Sequence, residues 1–176
     1  MDPAVVSGRP DTDWDLPEIY KPFIDNQYSS VEALMHRYVV DLNRDPAGKP
    51  LYNDQRYISS IVPLQTFAGQ NIYREEPTEE LIKQRVEKYF WTHHKNLEAV
   101  LREENTKLMV DAHSIARQVP SLFDGDLPDV ILGNGGPLET APLSWLQKGG
   151  SILQDQGFSV SLNSPFRGGW ITRTYP

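Results

Sequence analysis

Residues 108–134 read LMVDAHSIARQVPSLFDGDLPDVILGN. An apolar run, Leu108 to Val110, stops at a carboxylate, a small residue, an imidazole and a hydroxyl: Asp111, Ala112, His113 and Ser114. The simplest reading is a buried strand over 107–112 whose carboxyl end carries polar chemistry. Ligand sites in open α/β sheets form beyond such strand ends. Asp111 and His113 are two apart, so an extended backbone turns both to one face. A carboxylate and an imidazole placed together can bind a metal or orient one another for proton transfer. The plain alternative is a capped strand end, with Ser114 starting the next turn.

Working outward, the clearest element precedes this stretch. Pro77 and Thr78 open a helix, and Glu79 and Glu80 suit its positive end. Apolar or aromatic side chains recur at 82, 86, 89, 93, 97 and 100, which is helical spacing, and the helix should end near Glu104 or Asn105. A helix feeding directly into a buried strand is the crossover pattern of α/β proteins. Val130 to Leu132 is a further strand, closed by Gly133, Asn134, Gly135 and Gly136, which read as a turn. Leu138 to Gln154 looks helical despite Pro142 and the Gly149–Gly150 pair. Phe158 to Leu162 alternates as a half-buried strand, and Trp170 to Thr174 reads as the last strand. Toward the N-terminus, Trp14 to Asn26 forms one broken helix, interrupted at Pro22. Ser30 to Met35 is a short helical turn, RYVVDL (37–42) a buried strand, Asn43 to Gln55 a loop, and Tyr57 to Val62 another short strand.

With 176 residues, one domain over 1–176 is the natural expectation. Apolar residues are 39% and charged ones 23%, a folded rather than a disordered mixture. A net charge of −7 argues against nucleic acid and against an anionic membrane surface as partners. The sequence holds no cysteine, so any metal must be held by His, Asp or Glu. No apolar stretch approaches the ~20 residues of a membrane span, and the first residues do not form a secretory signal. Cytoplasm is the expected location.

Three other clusters could carry chemistry. Asp11-Thr12-Asp13 offers two carboxylates that can face one way, though taken alone the cluster reads better as an Asx turn or helix cap before Trp14. Asn43 and Arg44 end the first expected strand. Arg44 offers a planar fork for a carboxylate and Asn43 both a donor and an acceptor; a surface ion pair with Asp41 or Asp45 is the alternative. Arg173 lies in an otherwise apolar stretch after Gly168 and Gly169, which allow a close backbone approach. His93 falls on the apolar face of the long helix and reads as a core or boundary histidine. His36 has no partner visible in sequence.

Together the clusters resemble the N-formylglutamate amidohydrolase (N-formylglutamate deformylase) family. The matching stretches are DTDW (11–14), RYVVDLNR (37–44), TFAGQNIY (66–73), DAHSIARQVPSLFDGDLPDVILGN (111–134) and FRGGWITRTYP (166–176). They occur in the family's order. The resemblance implies a phosphorylase/hydrolase-like α/β fold, a mixed, mostly parallel sheet flanked by helices. It implies hydrolysis of an N-formyl amide to formate and glutamate, in histidine degradation. A divalent metal, zinc, would activate the water, with His113 as a ligand and Asp11 or Asp13 as the carboxylate ligand. Arg44 with Asn43, and Arg173, would hold the carboxylates of a small anionic N-acyl amino acid. The family's Pro-His-x-Gly segment and a late glutamate, its expected general base, have no counterpart here. The expectation is therefore a domain truncated at both ends, lacking an N-terminal strand and a C-terminal segment, with little activity of its own. The competing readings are a non-catalytic interaction module and an amidase for another N-acyl amino acid. Oligomeric state is not legible in the sequence.

Overall fold

The computed structural model describes residues 1–26, 28–50, 60–103 and 106–175. The chain divides into two compact units, residues 1–42 with 59–115 and residues 43–58 with 116–176. Helices and irregular backbone make the first unit; a parallel strand pair with its helix makes the second.

In the first unit, α1 (Pro3–Val6) is a single turn capped by Asp2, whose carboxylate accepts from Ala4 N–H at 3.0 Å. α2 (Leu16–Ile24) runs through Pro22, where a break was expected. Proline removes one backbone bond and crowds the carbonyl four residues back. Here only two residues remain to the helix end, so the loss falls in the last turn.

The long helix forms as its spacing predicts, with one correction. Thr78 caps it, Oγ1 accepting from Leu81 N–H at 3.3 Å. α3 (Glu79–Arg85) passes through a π turn (Val86–Phe90) into α4 (Trp91–Glu103). The expected end at 104 or 105 lies outside the described residues. The π turn adds one residue to the helical repeat. The buried face therefore moves from 89 and 93 to Phe90, His94 and Leu97, and His93 is only partly buried.

His94 is 1% exposed. Its Nε2 lies 3.0 Å from the Leu42 carbonyl and its ring 4.3 Å from that of Phe90. Burial pulls its pKa down to about 4, outweighing the Leu42 hydrogen bond. Because the folded pKa lies below the unfolded one, its contribution is intact above pH 6.5 and is lost as pH falls toward 4. Full protonation should cost on the order of 3 kcal/mol. Urea midpoints at pH 7 and pH 4.5 check this: the acid loss is expected to be smaller in His94→Gln than in the parent.

RYVVDL is a turn rather than a strand. Val39 N–H bonds to the His36 carbonyl at 2.8 Å, and the Arg37 guanidinium closes on the Asp41 carboxylate at 2.6 Å. Tyr38, Val40 and Asp41 are nevertheless buried. The β-branched pattern marked burial, not extension. Tyr38 joins Val62, Ile72 and Tyr73 in the core, with Val5, Ile61, Leu64 and Ile82 packed against them. The Tyr73 hydroxyl donates to the Tyr38 carbonyl at 2.6 Å, and Arg85 donates to that hydroxyl at 2.6 Å.

The strand expected over 107–112 is also absent. That segment is irregular, and Leu108 and Val110 are 55% and 64% exposed. Apolar residues make a buried strand only where a neighbouring strand takes up their backbone groups. The helical turn expected at 30–35 is irregular backbone. Of the strand expected at 57–62, residues 57–59 lie outside the described residues and 60–62 are not in a strand.

The second unit carries the α/β element. β1 (Val130–Leu132) leads through a 3₁₀ turn (Gly136–Leu138) and α5 (Leu143–Asp155) to β2 (Val160–Leu162). The strands pair in parallel, Val130 opposite Val160 and Leu132 opposite Leu162. α5 begins after Pro142, later than expected, because Gly135 and Gly136 hold left-handed backbone (φ +79° and +65°) and spend the preceding residues on a turn. The Gly149–Gly150 pair does not break α5. A Cβ on Gly150 would lie 3.4 Å from Leu162 and 3.6 Å from Val160, so the pair lets the helix settle on the strands.

Side chains close both ends of the strand pair. At the start, the Asp129 carboxylate accepts from Ser159 N–H at 2.9 Å and from its hydroxyl at 2.5 Å. At the finish, buried Asn134 accepts from Asn163 Nδ2 at 2.8 Å and donates through Nδ2 to the Ala141 carbonyl at 2.7 Å. Trp170–Thr174, expected as a strand, is helix α6. Among the described residues, no helix is long and apolar enough to cross a membrane. The observed class is mixed α/β, with a two-stranded parallel sheet among those residues.

Candidate functional site

DTDW and DAHS meet in the first unit although about a hundred residues separate them. Ser114 N–H donates to Asp13 Oδ1 at 2.6 Å. Trp14 N–H donates to Ser114 Oγ at 2.7 Å, and that hydroxyl donates back to the Trp14 carbonyl at 3.3 Å. This clamp sets the Asp13 carboxylate beside the next side chain. His113 Nδ1 lies 3.4 Å from Asp13 Oδ2, and Nε2 lies 3.1 Å from Asp111 Oδ1. The ring is thus held between two carboxylates. Asp111 is the more shielded of the two, with 15% of its side chain exposed against 39% for Asp13.

The electrostatics follow. Burial alone would lower the His113 pKa, but the hydrogen bonds to Asp111 and Asp13 and their charges outweigh it and raise it to about 10. Burial would raise Asp13, but the His113 hydrogen bond and charge and the Ser114 N–H outweigh it, holding the carboxyl below its usual range. At neutral pH the arrangement is an imidazolium between two carboxylates. Half of the His113 side chain faces solvent, so water screens these charges.

The two aspartates of DTDW separate sharply. Asp11 takes a left-handed backbone (φ +58°), and its Oδ2 accepts from the Tyr38 hydroxyl and from Phe67 N–H, both at 2.8 Å. Asp11 ties loops together, whereas Asp13 meets His113. Between them, Thr12 Oγ1 donates to the Arg9 carbonyl at 2.7 Å and lies 2.9 Å from His36 Nε2. His36 Nδ1 accepts from Tyr38 N–H at 3.2 Å, so its proton sits on Nε2. Burial lowers the His36 pKa, and the nearby Arg37 and Arg9 add to that. His36 is a structural link here.

The residues expected to hold carboxylates lie in the second unit. Asn43 Oδ1 accepts from Ile171 N–H at 2.7 Å, and the Asn43 carbonyl accepts from Trp170 N–H at 3.4 Å. Arg44 is partly buried and donates to that same carbonyl at 3.3 Å. Arg173 is partly buried on α6. Asn43 is thus joined to the start of the helix that carries Arg173. Ser114, read from sequence only as a turn former, proves to be the hinge pin of the clamp. Asp111 was legible from its two-residue spacing to His113 but had no assigned place among the ligands.

A catalytic zinc usually takes three protein ligands and a water. Asp13 and His113 provide two donors of suitable chemistry. Asp111 stands behind the ring, as a carboxylate behind a ligating histidine commonly does. Among the described residues no third donor joins them, and no group of three or more His, Asp or Glu side chains is placed to hold an ion. These residues alone do not complete a zinc site.

The chain is similar to a protein of Pseudomonas putida called N-formylglutamate deformylase, 36% identical over 174 residues. It is likewise similar to the N-formylglutamate deformylase of Pseudomonas aeruginosa, 36% identical over 171 residues. In both cases the match takes in 94% of this chain and 64% of the relative, so the chain spans less than two-thirds of their length. No solved structure matches the chain significantly. The N-formylglutamate amidohydrolase family model matches residues 4–176, taking in the Asp13–His113 clamp and the Asn43–α6 junction alike, and the chain belongs to that family.

Proposed function

We propose that this chain serves hydrolysis of the formyl amide of N-formyl-L-glutamate, releasing formate and L-glutamate, within histidine degradation in the cytoplasm. The observation that carries the reading is His113 held between Asp13 and Asp111 in a family whose relatives bear the deformylase name. In the reaction a water oxygen adds to the formyl carbon, the C–N bond breaks, and the leaving nitrogen takes a proton. The carboxylates of Asp13 and Asp111 are acceptors for the water's proton, and the His113 imidazolium is the donor that returns one to the nitrogen. Arg44 and Arg173 are the cations for the substrate carboxylates. The phosphorylase/hydrolase-like architecture belongs to the same proposal, supported by the parallel β1–α5–β2 crossover.

The zinc implied by the resemblance enters as a separate proposal: Asp13 and His113 would be its donors only with the imidazole neutral, so the ring would then not serve as the proton donor, and no step is assigned to the metal. With two donors in place, zinc is expected to leave the purified chain on dialysis; stoichiometric retention would reveal a third ligand.

Glutamate release from N-formyl-, N-acetyl- and N-succinyl-glutamate tests the function. N-formylglutamate is expected to be preferred over the other two acyl groups. A clear preference for another acyl group would transfer the proposal to a related amidase. One observation favours a second reading, a non-catalytic interaction module: the described residues gather no three metal-ligating side chains. The same assay separates it, since that module releases neither formate nor glutamate from N-formylglutamate.

A further inference from the structure

Asn43 stands beside Arg44 in a segment that resemblance assigns to substrate binding, but its side chain is already occupied. Its Oδ1 accepts from Ile171 N–H at 2.7 Å, across 128 residues of sequence. Ile171 is the second residue of α6 (Trp170–Thr174), and the residue before that helix, Gly169, supplies no side-chain cap. The first N–H groups of a helix have no partner within it, and a side-chain oxygen of Asn is among the best substitutes. The Asn43 carbonyl takes Trp170 N–H at 3.4 Å, so one residue receives the first two amides of α6.

Gly169 is shaped to this contact. A Cβ there would lie 2.3–2.5 Å from the Asn43 amide atoms, which no real side chain tolerates. Its φ of −88° is open to any residue, so closeness to Asn43 is what demands glycine. This also explains why residues 170–174 form a helix although their β-branched composition reads as a strand: the cap comes from a distant loop. Arg44 donates to the same Asn43 carbonyl at 3.3 Å.

We infer that Asn43 is a positioning residue: its side-chain oxygen caps α6 from outside and thereby places Arg173, and it does not itself bind substrate. The part about Arg173 rests on the deformylase reading; the cap does not. Hydrogen exchange and kinetics separate the two. In Asn43→Ala the Ile171 amide should exchange about tenfold faster, a cap's ordinary worth, while Asn43→Asp, which keeps an acceptor oxygen, should retain protection. Equal protection in Asn43→Ala and the parent would overturn the cap.

For N-formylglutamate, Asn43→Ala should raise KM about tenfold with kcat little changed. Asn43→Ala should add no further rise in an Arg173→Gln background, because its effect passes through that arginine. Additive effects would instead make Asn43 a direct substrate contact and overturn the inference. Gly169→Ala should reproduce the Asn43→Ala phenotype by forcing the amide aside, and the double variant should be milder than Gly169→Ala alone; a harsher double variant counts against the inference. If the parent neither binds nor turns over N-formylglutamate, the deformylase reading and the Arg173 part fail together, while exchange still decides the cap.

Discussion

Replacing His113 with glutamine is expected to lower formate release from N-formylglutamate roughly 10²–10⁴-fold, the usual worth of a positioned proton-transfer group. Glutamine matches the length of the ring but carries neither its charge nor a titratable proton. Asp13 and Asp111 then lose the cation between them. The ring is half exposed and outside the hydrophobic core, so the unfolding free energy from urea titration should change by less than about 1 kcal/mol. A large kinetic loss with nearly intact stability separates a chemical role from a structural one. Activity within twofold of the parent would remove His113 from the proposed chemistry. Asp11→Asn offers a contrast, since that carboxylate braces Tyr38 and Phe67 rather than His113. Its loss should appear mainly as reduced stability.

The largest stability effect is expected at Arg37. Its guanidinium lies 2.6 Å from the carboxylate of Asp41, which is 7% exposed, and stacks 4.5 Å over the Phe67 ring. Arg37→Met keeps much of the apolar volume but takes the Arg37 charge away from a buried carboxylate. Breaking one partner of a buried pair typically costs about 3–5 kcal/mol. The double change Arg37→Met with Asp41→Leu removes both charges and should recover most of that loss, because the attraction in the parent only offsets the desolvation of both groups. Chemical denaturation of the parent, the single and the double variant checks this. A single variant within 1 kcal/mol of the parent would mean that the Asp41 carboxylate does not depend on Arg37 in solution.

The contrast between expectation and structure is instructive at two segments. RYVVDL and LMVD both look like buried strands. The first is buried but turns, because the Arg37–Asp41 pair and the His36 carbonyl close it over four residues. The second is exposed, because no strand stands beside it among the described residues. Apolar, β-branched sequence states a preference for burial, and extension depends on a partner that supplies hydrogen bonds. Val130–Leu132 had that partner in Val160–Leu162 and formed as expected. The long helix was equally legible, since its cap and repeat are local. Only the inward-facing side changed, where the π turn replaced His93 with His94.

Family membership was written in the order of the motifs, each a short segment that carries its meaning in neighbouring residues, and the pairing of an acidic N-terminal cluster with DAHS came only as an implication of the resemblance. Tertiary structure alone chose Asp13 over Asp11 to face His113 and turned Asn43 toward α6. It also made Ser114 the link between two loops. The reason is one of range. A side chain's chemistry is local, but its partner here lies 27 to 128 residues away, and packing rather than spacing brings the two together.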